Sequence, residues 1–203
     1  MIQRLLILVT SLLIGFQSFA QDKILLLSGK YVDIKSYSLN EDYIFYNKMK
    51  DTRTKSRMME KMDVFSIVKA DGTEEMIYKA DTVNGLSIEQ VRNFIRGEQA
   101  AARFYNRQAH IGESAIVGVA SSILIFYSLP APMLNAVVLG RFTPKKMQIP
   151  DGYDLPYSTT EEYKIGYEKK ARNIKIQQSI KWGYIGLGVG LAGLITYFST
   201  GGE

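Results

Sequence analysis

The chain has 203 residues, a net charge of +5, 46% hydrophobic and 22% charged residues, enough for one domain or two small ones. It contains no cysteine, which excludes disulfides, thiolate metal sites, a cysteine nucleophile and a cysteine-borne lipid anchor. His110 is the single histidine, which excludes a histidine-based metal cluster, and no Ser/His/Asp order, phosphate-binding loop or paired-carboxylate motif is present. The average composition hides a division: residues 1–20, 114–140 and 182–198 are almost free of charge, and the remainder is polar.

Residues 1–20 read as an export signal. Arg4 is the positive n-region, residues 5–16 are an apolar run of h-region length, and Ser18 and Ala20 are the small residues a signal peptidase reads. Cleavage after Ala20 starts the mature chain at Gln21.

Residues 21–86 predict a small antiparallel β domain. Short strands are expected over 23–28, 31–38, 42–47, 63–69 and 73–79, with turns at Ser28-Gly29-Lys30 and Asp71-Gly72. Residues 48–61 are basic, and Arg53, Lys55 and Arg57 mark them as contacts for an anionic partner. Charged strand edges that discourage aggregation are the plainer alternative.

Residues 87–113 predict a connecting amphipathic helix. Ser87 and Gln90 form a capping box, and the helix can continue into the following apolar stretch. Arg92, Arg96, Arg103 and Arg107 fall on one face, either as contacts for an anionic partner or as the wet side of a helix packed on the β domain.

Residues 114–140 and 182–198 are the expected membrane segments. The first is interrupted by Pro130 and Pro132, which leaves open one kinked helix or a helix followed by a re-entrant passage. The second is rich in glycine. Gly186 and Gly190 form a GxxxG, Gly118 and Ser122 are its counterpart, and Gly193 extends the packing surface. A Gly-x-Gly-x-x-Gly at 188–193 lies inside this helix without the strand and acid a dinucleotide site needs. Nine basic residues against five acidic ones in 141–181 predict a cytoplasmic connection, and residues 199–203 form a tail on the far side.

Residues Thr143-Pro144-Lys145, the pattern Tyr163-x-x-Gly166-Tyr167-x-x-x-x-Arg172, the glycines of 183–193 and the alternating stretch ending near Asp63-Val64-Phe65-Ser66-Ile67 resemble a family of uncharacterised exported bacterial membrane proteins. The likeness covers most of the mature chain. It implies an N-terminal β domain and two C-terminal membrane helices, and brings no activity with it.

The expectation is thus an α+β protein: a small antiparallel β domain, a long amphipathic helix and a two-helix transmembrane hairpin. Its expected role is that of a non-enzymatic inner-membrane-anchored envelope protein with the β domain in the periplasm. Membrane lipid and a protein partner or a second copy are its expected partners, with no cofactor, nucleic acid or small-molecule substrate. The alternative is a small oligomeric pore or transporter subunit assembled through the glycine-rich helix, although neither apolar segment carries an ionisable group to line a path.

Overall fold

A computed structural model of the chain describes residues 21–50, 53–80, 85–106, 108, 111–123, 129–141, 147 and 160–201. The chain divides into two compact units, Met1–Ala80 and Asp81–Glu203. Among the described residues the first is built from antiparallel strands and the second from four helices, an α+β composition. Ala20, Arg107, His110 and the loop prolines Pro144, Pro150 and Pro156 lie outside the described residues, and Gln21 is the first residue within them.

Among the described residues the β unit holds seven strands where five were expected: β1 (Asp22–Leu26), β2 (Tyr31–Ile34), β3 (Ser36–Leu39), β4 (Tyr43–Lys50), β5 (Arg53–Glu60), β6 (Val64–Val68) and β7 (Glu74–Met76). They form a four-stranded sheet, β2-β1-β6-β7, and a three-stranded sheet, β3-β4-β5. The expected single strand over 31–38 breaks at Lys35, and its two halves serve different sheets. Ile24, Ile34, Ile44, Tyr46, Val64 and Ile67, drawn from both sheets, make the shared core. Residues 48–61 are largely strand, because β4 and β5 pair in register from Tyr43↔Glu60 to Lys50↔Arg53. Between β1 and β6 the register slips at Leu25/Leu26, which leaves Phe65 as the extra residue of a bulge, and its ring stacks on Tyr78. Both predicted turns form. Gly29 (φ 72°) and Gly72 (φ 86°) adopt the left-handed conformation that suits glycine.

Across the β unit Tyr37 donates its hydroxyl to Glu75 at 2.8 Å. Desolvation, then that bond and the carboxylate's charge, push its phenol up from 10.0 to about 12.

The helices are α1 (Ile88–Phe104), α2 (Ile111–Ser122), α3 (Ala131–Arg141) and α4 (Glu161–Ser199). The capping box of α1 is present: the Gln90 amide N–H donates to Ser87 Oγ, and the Ser87 N–H donates to the Gln90 side chain. The helix does not run on into the apolar stretch. Tyr105 is extended (ψ 126°), and Asn106 Oδ1 accepts the Gln108 N–H in a local turn that stops it. Residues 114–140 form two helices in place of one span. Pro130 supplies the carbonyl that accepts the Leu134 N–H, and Pro132 sits in the first turn of α3, where a missing N–H costs nothing. Helix α4 starts after Thr160, which makes no side-chain cap.

Because the folded Tyr37 pKa lies above its unfolded value, its share of stability is complete below pH 10 and is lost as pH rises toward about 12. Unfolding followed by circular dichroism between pH 8 and 12 should show a steeper alkaline loss for the native chain than for Tyr37→Phe. Superimposable profiles would show that the Tyr37–Glu75 bond contributes nothing.

Candidate functional site

The 39 residues of α4 carry two chemistries on one rod. Residues 161–181 hold Glu161, Glu162, Lys164, Glu168, Lys169, Lys170, Arg172, Lys175 and Lys181, whereas residues 182–199 hold no charge. Each half collects different neighbours.

Against the charged half lies α1, running in the same direction. The Gln90 side chain donates to Glu162 at 2.8 Å, which after the Glu162 backbone bond helps hold that carboxyl below its usual range. Gly166 meets the Phe94 carbonyl, and Gly97 meets the backbone of Tyr163 and Tyr167. Ala101 and Tyr105 pack on Tyr167, Ala171 and Ile174. Burial, then the neighbouring Tyr167, pushes the Tyr105 phenol up. Glu98 is 3% exposed and pairs with Lys169 at 3.4 Å, and that ammonium also stands 4.9 Å from the Phe94 ring centre. The apolar face of α1 is thus packed on α4.

Against the uncharged half lie α2 and α3. Gly186 meets Ala115, Gly118 meets Gly183 and Leu187, and Gly190 meets Ser122 and Val119, so α2 runs parallel to α4. Gly183 meets Pro132 and Gly140 meets the Ile176 side chain, so α3 runs back antiparallel. Helix α2 thus rises beside α4 to the level of Gly190, while Leu129, whose carbonyl accepts the Tyr184 hydroxyl, leads into α3. Helix α3 then descends to the level of Ile176. Both ends of 111–141 sit at one end of the uncharged half. Helices α2 and α3 are therefore antiparallel to each other and are not two halves of one kinked helix.

Residue size is inverted here relative to a water-soluble core. The contacts are made by Gly118, Ser122, Ala136, Gly183, Gly186 and Gly190, while Ile116 (69% exposed), Leu134, Val189, Ile195 (69%) and Phe198 (73%) point outward. Among the described residues one helix, α4, is long and apolar enough to cross a membrane, and only 17% of its apolar window is buried. The core helix of a soluble protein would be mostly covered. Where the charged and uncharged halves meet, Ser114 Oγ, Asn135 Nδ2 and Ser179 Oγ, one from each of three helices, are buried without a hydrogen-bond partner among the described residues.

Four of the five expected packing residues are therefore in the seam: Gly118, Ser122, Gly186 and Gly190. Gly193 is exposed and meets nothing within 4 Å. Gly97 lowers helix propensity by itself, yet it and Gly166 are where the backbones of α1 and α4 meet most closely. A small residue opposite a Tyr-x-x-x-Tyr repeat is the only signal that marks it. The arginine stripe is engaged locally: Arg92 Nε lies 3.8 Å from Glu89, Arg96 donates to Asn93 at 3.2 Å, and Arg103 stands over the Phe104 ring. Lys55 and Arg57 share one face of β5, and the Arg53 side chain lies outside the described residues. Among the described residues no group of acidic residues or histidine is arranged to hold a metal.

No known protein family matches the chain, and no curated protein or solved structure is significantly similar to it.

A Cβ at Gly118 or Gly186 collides with backbone of the facing helix, which no side-chain rotation relieves. Gly186→Leu should cost about 3 kcal/mol or more through helix separation, whereas Gly188→Leu, which meets open space, should be neutral. Thermal unfolding in detergent compares them, and equal midpoints would refute the packing role.

Proposed function

We propose that the protein is a non-enzymatic, membrane-anchored envelope protein that holds a small β domain at the membrane surface for contact with an envelope component. The observation that carries this reading is the inverted bundle of 111–141 and 182–199, small residues within and large apolar ones without. Helices in lipid associate through close packing of small residues and present apolar side chains to the tails. In water the same surface would be a large exposed apolar patch of the kind monomeric soluble proteins avoid. From Trp182 to Ser199 the rise of α4 is ~27 Å, close to the ~30 Å of hydrocarbon. In this reading α4 is the single span.

The helix directions support an arrangement other than a two-span hairpin. Ser122 reaches the level of Gly190, ~14 Å short of Ser199, and α3 returns to the starting level. Helices α2 and α3 then make a re-entrant wedge, and Glu113, Arg141 and Lys181 share one interface. In this reading the connection between α3 and α4 stays on the side where α2 enters, and the far end of α4 reaches the other. A cleaved export signal commits the chain that follows it to translocation, which puts the β domain and this loop in the periplasm. The charge bias of 141–181 favours the other side. We give the signal precedence because it acts on the chain first.

Because the chain has no cysteine, single-cysteine variants report sidedness cleanly. An impermeant maleimide applied to intact cells with a permeabilised outer membrane should label Ser28→Cys and Asp151→Cys. Thr200→Cys should react only after the inner membrane is opened. Protection of Asp151→Cys together with labelling of Thr200→Cys would replace the wedge by two spans. Recovery of all three in the soluble fraction would remove the anchor altogether.

A further inference from the structure

The β unit treats its charges differently in its two sheets. In β2-β1-β6-β7, cations meet acids: Lys23 lies 3.9 Å from Asp33, its cross-strand partner, and Lys69 lies 3.8 Å from Glu75. In the β4–β5 pair the register sets Lys48 opposite Lys55 and Tyr46 opposite Arg57. Like charges facing each other across a ladder destabilise it, where opposite charges would stabilise it. Among the described residues no carboxylate stands within ion-pair distance of Lys48, Lys55 or Arg57.

These cations share a face. Residues alternate along a strand, so Ile44, Tyr46 and Lys48 project from the same side of β4 as Arg57 and Lys55 do from β5. At one end that side is core, with Ile44 fully buried and Tyr46 nearly so. At the other it opens into a cleft of about 420 Å³ lined by Val32, Tyr46, Lys48, Lys55 and Arg57. Edge protection accounts for Lys55 and Arg57, since β5 ends its sheet. It does not account for Lys48, which stands on the central strand and faces a lysine.

We propose that this cleft is a binding site for a phosphate-bearing ligand. The Arg57 guanidinium offers a planar fork of donors suited to phosphate oxygens, and the two ammonium groups add point charges on the same anion. Tyr46 and Val32 wall one side with apolar surface that fits a carbon body attached to the phosphate. A bound anion turns the Lys48–Lys55 repulsion into shared attraction, so occupancy and hairpin stability are coupled. The proposal rests on the β unit alone and stands or falls independently of the membrane arrangement.

The test uses the full chain in neutral detergent at low salt, titrated calorimetrically with inorganic pyrophosphate. Saturable one-to-one binding is expected, weakened at least tenfold in Lys48→Gln, Lys55→Gln and Arg57→Gln and unchanged in Lys61→Gln, which removes the same charge elsewhere. Thermal unfolding supplies a second reading. Without pyrophosphate Lys55→Gln should melt no lower than the native chain, and it should lose the rise in midpoint that pyrophosphate gives. Displacement of pyrophosphate by water-soluble dibutyryl phosphatidylglycerol would assign the site to a lipid headgroup, and its failure to displace would assign the site to a free phosphoanion. Absence of saturable binding, or equal weakening by Lys61→Gln, would overturn the proposal.

Discussion

The helical unit depends on backbone meeting backbone along α4. At Gly97, Gly118, Gly166 and Gly186 the facing element lies so near that a single added carbon would strike a carbonyl or an amide. Such contacts are short because nothing intervenes, and dispersion falls steeply with distance, so the gain is forfeited by a shift of less than an ångström. Side-chain rotation cannot rescue a substitution there, since the colliding atoms belong to the main chain. The same device joins α1 to the charged half of α4 and α2 to its uncharged half, so one rod organises two environments.

Those environments differ in what surrounds the seam. Beside α1 the seam is flanked by Tyr163, Tyr167 and Tyr105 and includes the Glu98–Lys169 pair, a polar arrangement that water outside the helices tolerates. Beside α2 and α3 the periphery is aliphatic and aromatic without charge, and the small residues are inside. The change falls where α1 ends and α2 begins, the level of Ser114, Asn135 and Ser179, whose buried polar atoms lack partners among the described residues. An unpaired hydroxyl or amide is costly in an apolar interior.

The β unit solves a different problem with one bend. At Lys35, whose amide still donates to Asn47, the chain passes from β2 to β3 and so from one sheet to the other. The fold gains a core between the sheets at the expense of a single strand's continuity. The consequence is a second face of β4–β5 that begins as core at Ile44 and ends as unpaired cations at Lys48 and Lys55. An extended sheet without the bend would leave no wall at Val32 and no cleft.

Local chemistry made much of this legible in the linear chain. The Ser87–Gln90 box, the turns at Gly29 and Gly72, the pattern of short strands, the uncharged second half of α4 and the pairing of Gly118 and Ser122 with Gly186 and Gly190 all follow from residue type at short spacing, because caps, turns and periodicity are properties of a few adjacent residues. What only the tertiary structure decided is direction and partnership. Pro130 and Pro132 announce a break, but a kink and a reversal obey the same local rules, and the choice is made by whether Pro132 and Gly140 find Gly183 and Ile176. Gly97 costs helix stability by itself and gains its purpose only from the Tyr163 and Tyr167 backbone 66 or more residues away. Lys55 reads in sequence as a contact for an anionic partner, but Lys48 becomes its counterpart only when the hairpin register sets the two face to face. Hydropathy measures how apolar a segment is, and it carries no sign for which way the segment runs.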